Sequence, residues 1–278
     1  MQLDRTYIAI RERDLLDILD LSLHVFRVFF FPLIVSLAVG VLPFFLLLHW
    51  WQGGFDPAQL QADDLYYEFG WRWSTGYTTA FGVVLSAPLA TSIITLMLGQ
   101  TMFSQRAEPV QVARDFFGSL PQLILFQVIL RPILLLPFVT AFVPFAVWPY
   151  LNEIILLERN PLYKSKSNQI TTMRRSSALH GSSFGELFGR WLANAAFAAT
   201  MATLMLLAMW ATKFWMTGSL QISRLTFLLF VEISCWLTAS YFAVVRFLNY
   251  LDLRIRREGW EVELKMRAEA ARMAGQLI

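Results

Sequence analysis

The sequence predicts an all-α integral membrane protein of six transmembrane helices with interfacial amphipathic helices, both termini cytoplasmic. Three observations predict it. The chain is 56% hydrophobic and only 15% charged, whereas a soluble domain carries about 25% charged residues. Several apolar runs are long enough to cross a bilayer. The basic residues also alternate with those runs: the segment from Arg159 to Arg190 alone holds six Lys or Arg, with apolar runs on both sides of it. A basic loop of that kind stays on the cytoplasmic face, because Lys and Arg resist translocation. It orients every other segment.

Residues 1–27 form a cytoplasmic entry segment. In 10–27, Leu15, Leu16, Leu19, Leu23 and Phe26 fall in one arc at 100° per residue, and Asp14, Asp17, Asp20, His24 and Arg27 fall opposite. That pattern predicts a helix lying in the interface. The eight charges among the first 20 residues also argue against a cleavable secretory signal. Residues 28–247 form the membrane domain. Its first span, about 28–50, would reach roughly 34 Å at the helical rise, with His49, Trp50 and Trp51 marking the far interface. Residues 52–75, acidic and aromatic, predict a short helix on the outer face. The second span, about 75–103, is rich in small residues. Gly82 and Ser86 form a small-xxx-small pair that lets helices approach closely, and Pro88 predicts a kink. Residues 104–120 predict a second in-plane helix.

Residues 121–158 form one apolar stretch, about two crossings long. It reads as a hairpin with spans near 121–139 and 142–158, or alternatively as a re-entrant pair that does not reach the far side. The fifth and sixth spans are about 191–215 and 225–247. The fifth carries Ala195, Ala199 and Ala202 on a face small enough for helix packing. The tail, 248–278, is charged and too polar to enter lipid. In this topology 19 of the 23 Lys and Arg lie inside, three lie outside (Arg72, Lys213 and Arg224), and Arg131 lies within a span. Three inside segments, each ahead of an odd-numbered span, share a polar cluster followed by paired aromatics, which points to a weak threefold repeat.

Few residues carry chemistry. Arg131, Glu153 and Glu232 sit at lipid depth, where charges face the bundle interior or a wet cavity. Arg131 and Glu153 would match in depth across the hairpin turn, as a structural ion pair or as part of a transport pathway. Glu232 has Arg131, Gln127 and Asn194 as candidate partners, or is protonated. Arg254, Arg256 and Arg257, with Trp260 as an interfacial anchor, form a juxtamembrane cluster suited to anionic phospholipid headgroups. Residues 258–278 read as a solvated helix or as a docking surface for a protein partner. The single cysteine, Cys235, excludes an internal disulfide and a cysteine metal site. His24, His49 and His180 fall on two sides of the membrane, so the reading includes no metal, no cofactor and no catalytic residue. The basic residues form no single face, which excludes nucleic acid as a partner. The function expected is a non-enzymatic scaffold or assembly subunit of the inner membrane, with a protein partner or a second copy bound through the membrane domain and tail. A transporter or permease component is the alternative, and a lipid-acting membrane enzyme a third.

The opening IRERDLLDILDLSLHVFRVFFFPLI, the stretch RRSSALHGSSFGELFGRWL and the ending YFAVVRFLNYLDLRIRREGWEVEL resemble a bacterial six-span family, similar to the membrane domain attached to some glycerophosphodiester phosphodiesterases. The resemblance implies a helical membrane domain without catalytic residues of its own. The catalytic barrel is absent, so no hydrolase activity follows.

Overall fold

The computed structural model describes residues 13–55, 68–103, 108–130, 149–162, 170–181 and 184–258. Those residues are helical throughout, apart from short turns and links. In chain order the helices are α1 (Leu15–Val28), α2 (Phe30–Trp51), α3 (Glu68–Ala90), α4 (Ser92–Phe103), α5 (Pro109–Leu123), α6 (Thr172–His180), α7 (Phe184–Thr217) and α8 (Arg224–Glu258). Two π-helical stretches add to these. Ile124–Leu130 continues α5, and Ile154–Glu158 follows a single α-turn at Leu151–Glu153.

Among the described residues, four stretches are long and apolar enough to cross a membrane: Phe30–Trp51, Arg72–Met102, Gly185–Thr217 and Arg224–Arg257. The expected hairpin over 121–158 is not one of them. Its first part is the end of α5 and its π-helical continuation, and its last part is the turn at Leu151–Glu158. Residues 131–148, with Arg131, lie outside the described residues, as do most of the expected outer-face helix and the tail beyond Glu258.

Proline placement sets the breaks. Pro32 has no N–H and its ring would strike the carbonyl of Val28, so the chain leaves the helix for one residue at Phe29 before α2 begins. The kink expected at Pro88 falls three residues later, as a break at Thr91 between α3 and α4. There the Pro88 carbonyl accepts from the Ser92 hydroxyl at 2.5 Å and the Asn152 amide at 3.0 Å. The Thr91 hydroxyl donates to the Ala87 carbonyl at 2.7 Å. α2 crosses this joint in backbone contact, since a Cβ on Gly40 would lie 2.3 Å from the Ala90 carbonyl oxygen.

α8 is the central element. Its buried face carries Val244, Val245 and Phe247, packed with Leu33 of α2 and Ile94 and Leu98 of α4. α1 docks along the same helix by Ile18, Leu19, Ser22 and Val25, and the Tyr241 hydroxyl donates to the Leu19 carbonyl at 2.9 Å. This face is rotated from the expected arc: Leu16 and Leu23 stand 67% and 59% exposed, because α8 takes the neighbouring flank of the helix. α7 packs principally against α8, and none of its most apolar stretch is buried in the chain. At 34 residues the apolar helix within α8 spans about 51 Å, more than the roughly 30 Å of hydrocarbon. Its C-terminal third carries Arg246, Asp252, Arg254, Arg256 and Arg257.

Candidate functional site

Two buried ionic sites lie toward opposite ends of α8. The first joins α2 to α8. His49 Nδ1 lies 2.7 Å from Glu232 Oε2, with the side chains 5% and 0% exposed. The imidazole stacks on Phe45 with centroids 6.0 Å apart and meets Phe55 edge-on at 4.8 Å. Gly54 closes over it: a Cβ there would overlap the ring, at 2.3 Å from Nε2. One turn along α8, Trp236 is also buried. Neither Trp236 Nε1 nor Glu232 Oε1 has a hydrogen-bond partner among the described residues.

The second site is a network around the last third of α8. Arg246 Nε donates to Glu153 Oε1 at 2.5 Å, and Glu153 is fully buried. Asp252 accepts from the Arg13 backbone N–H at 2.9 Å and from Arg190 of α7 at 2.9 Å, and lies 3.0 Å from Arg256 Nε. Arg256 in turn donates to the Arg13 carbonyl at 2.6 Å. Glu158 takes a bidentate pair from Arg175 at 2.6 and 3.0 Å, the Tyr250 hydroxyl at 2.6 Å and the Asn160 amide at 3.1 Å. Burial opposes ionisation of Glu158, but the hydrogen bonds from Arg175 and Tyr250 and the charge of Arg254 outweigh it and hold the carboxyl below its ordinary range. The second His–aromatic stack joins Tyr150 to His180, with centroids 5.9 Å apart. His180 Nδ1 sits 2.7 Å from the Ser176 carbonyl, and Nε2 accepts from the Tyr150 N–H at 3.4 Å. One nitrogen donating and the other accepting is the neutral imidazole. Burial also pushes the His180 pKa down, against the opposing Ser176 bond.

Beside this network lies a cavity of about 310 Å³, bordered by Gln100, Asp115, Arg159 and Arg254 on its polar side. Asp115 pairs with Arg159 and also accepts from the Gln100 amide at 3.4 Å.

No family model, curated protein or solved structure matches the chain. The resemblance to the phosphodiesterase-attached membrane domain therefore rests on the quoted residues alone.

The structure redistributes the residues singled out in the sequence. Glu153 meets Arg246, and Arg131 lies outside the described residues. Glu232 meets His49, which the sequence marks only as the end of a span. The clue was available: Glu232 stands eight residues into its run from Arg224, near the level of the far end of α2. Arg254 borders the cavity and Arg256 is bound into the Asp252 network, while Arg257 is half-buried on the last turn and Trp260 lies outside the described residues. Gly82 receives the Leu48 side chain, 2.6 Å from where a Cβ would stand, and the Ser86 hydroxyl bonds back to the Gly82 carbonyl at 2.6 Å. Ala195 and Ala199 are exposed on α7, and Ala202 is half-buried. Among the described residues, no group of three or more His, Cys, Asp and Glu is placed to hold a metal ion.

Proposed function

We propose that the chain is a non-enzymatic, multi-pass protein of the cytoplasmic membrane, a scaffold or assembly subunit that offers α7 to a transmembrane helix of a partner protein. The observation that carries this reading is the face of α7. Ala195, Ala196, Ala199, Thr200 and Thr203 are exposed and follow helical spacing. The Thr200 and Thr203 hydroxyls turn back onto the Ala196 and Ala199 carbonyls at 2.9 and 2.8 Å. Between the exposed Leu192 and Leu207, what remains outside on this face is small and apolar. In lipid, small residues favour association because they let backbones approach closely. In this reading the chain crosses six times with both termini inside, and the α8 network stands on the cytoplasmic side. Arg254, Arg256, Arg257 and Trp260 lie at the level of anionic headgroups, and residues 258–278 extend the docking surface.

A photo-crosslinker at Ala199 tests the reading in intact cells. The expected result is one discrete heterologous adduct, lost when Ala195 is enlarged by Ala195→Leu, while the melting temperature of the purified chain stays unchanged. Adducts with lipid alone would refute it, and adducts with a second copy would make the occupant a homo-oligomer. A second reading, a transporter component, is favoured by the unpartnered Glu232 Oε1 beside the His49 pair. It requires proton or ion flux in liposomes that Glu232→Gln abolishes.

A further inference from the structure

We propose that the cavity beside α5 binds the phosphate-bearing headgroup of a membrane phospholipid, with Arg159 and Arg254 as its cations. The inference needs no partner at α7 and shares with that reading only the placement in a membrane.

The level of the cavity is the first argument. It is bordered by Gly99 and Gln100, at the end of the Arg72–Met102 apolar stretch, and by Tyr250 and Arg254, past the apolar part of α8. Asp115 comes from α5, whose Val112, Ser119 and Leu123 face is buried and whose opposite face is open. This is the depth at which headgroups stand. Polarity is the second argument. The lining combines Leu96, Leu156 and Leu251 with Gln100, Asp115 and the two arginines. An amphiphile matches that mixed lining. The volume of about 310 Å³ is at the small end of ligand sites and suits a headgroup rather than a whole lipid.

The backbone supplies the third argument. Arg159 has φ 51° and ψ 37°, and is the one non-glycine residue with positive φ among the described residues. An L side chain rarely adopts that conformation, and such residues concentrate at binding sites. Here it ends the π-helical turn Ile154–Glu158, a form itself frequent at functional sites. It leaves the guanidinium at the cavity border, 54% exposed and paired to Asp115. Arg254 Nε stands 3.7 Å from Glu158 Oε1, an ion-pair distance rather than a hydrogen bond. Two guanidinium forks suit phosphate oxygens, and the Asp115 carboxylate offers an acceptor to the ammonium of a zwitterionic headgroup.

Full-length protein, stripped of lipid in detergent, should be titrated with phosphatidylethanolamine, phosphatidylglycerol, diacylglycerol of the same chains and inorganic phosphate. Thermal unfolding and native mass spectrometry are the readouts. The phospholipids should raise the melting temperature and leave one lipid per chain, while diacylglycerol and inorganic phosphate should do neither. Arg159→Gly suits the left-handed backbone but strands the buried Asp115 carboxylate, so each variant's lipid shift is read against its own lipid-free melting temperature. Losing a charged hydrogen bond should weaken its phospholipid binding by at least about tenfold, with Arg159→Lys recovering part. Unaltered titration of both Arg159→Gly and Arg254→Gln would overturn the proposal. So would equal stabilisation by diacylglycerol, or by inorganic phosphate, which would make the occupant a soluble anion.

Discussion

Removing Arg246 should expose how much the structure depends on its pairing with Glu153. Glu153 is fully buried and Arg246 is 25% exposed, with Nε to Oε1 at 2.5 Å. Deleting one partner of a buried pair leaves an uncompensated charge and costs about 3–5 kcal/mol. The pair is single-pronged: Glu153 Oε2 and one terminal nitrogen of Arg246 have no hydrogen-bond partner among the described residues. The residual exposure of Arg246 reduces the loss further. Arg246→Ala should therefore fall near the lower bound, about 3 kcal/mol. At roughly 2–4 °C per kcal/mol for a large domain, the melting temperature should drop by about 6–12 °C. Glu153→Gln should cost less, because the amide oxygen still accepts from Arg246. In the double variant Glu153→Gln with Arg246→Ala, the losses should be clearly less than additive. Unfolding in mild detergent, followed by tryptophan fluorescence, is the assay. Additive losses would refute the pairing, and so would coupling of Glu153 to Arg131 in place of Arg246.

Acid should weaken the fold in two stages, each with a definite sign. His180 is held neutral, below its ordinary 6.5, so the unfolded chain takes up its proton first and stability falls as pH drops through about 6.5. Glu158 is held below its ordinary 4.5, so its contribution is present above that value and is lost as pH falls through the lower folded one. A pH series of melting temperatures checks both, and His180→Gln should remove the upper stage only. Gly40→Ala should cost about 1–3 kcal/mol through overpacking, since its Cβ would meet the Ala90 carbonyl at 2.3 Å; an unchanged melting temperature would contradict the backbone contact.

The helical class and the four apolar helices were legible because lipid-facing helices show themselves in run length and composition. The pairing of buried charges was not. Glu153 and Glu232 stand out as carboxylates at lipid depth, but their partners lie 93 and 183 residues away. Sequence proximity favoured Arg131 for Glu153. Arg246 reaches Glu153 because α8 is long enough to carry it beside the turn at Leu151–Glu158. The small-residue pair Gly82 and Ser86 reads as a packing motif, yet the tightest approach to a neighbouring helix backbone among the described glycines is at Gly40, which forms a second pair of the same spacing with the buried Ser36. Crossing points depend on helix register and on breaks such as Thr91, which local spacing does not encode.

The proposed topology, a multi-pass membrane chain with the α8 network facing the cytoplasm, is tested most directly by labelling from outside intact cells. With Cys235 replaced by serine, single cysteines at Gln61, Ser167 and Gln276 should divide by side. An impermeant maleimide should modify the cysteine at Gln61 and reach the other two only after lysis. Labelling at Ser167 or Gln276 in intact cells would contradict the account, because it would put the Arg159–Arg190 loop or the tail outside.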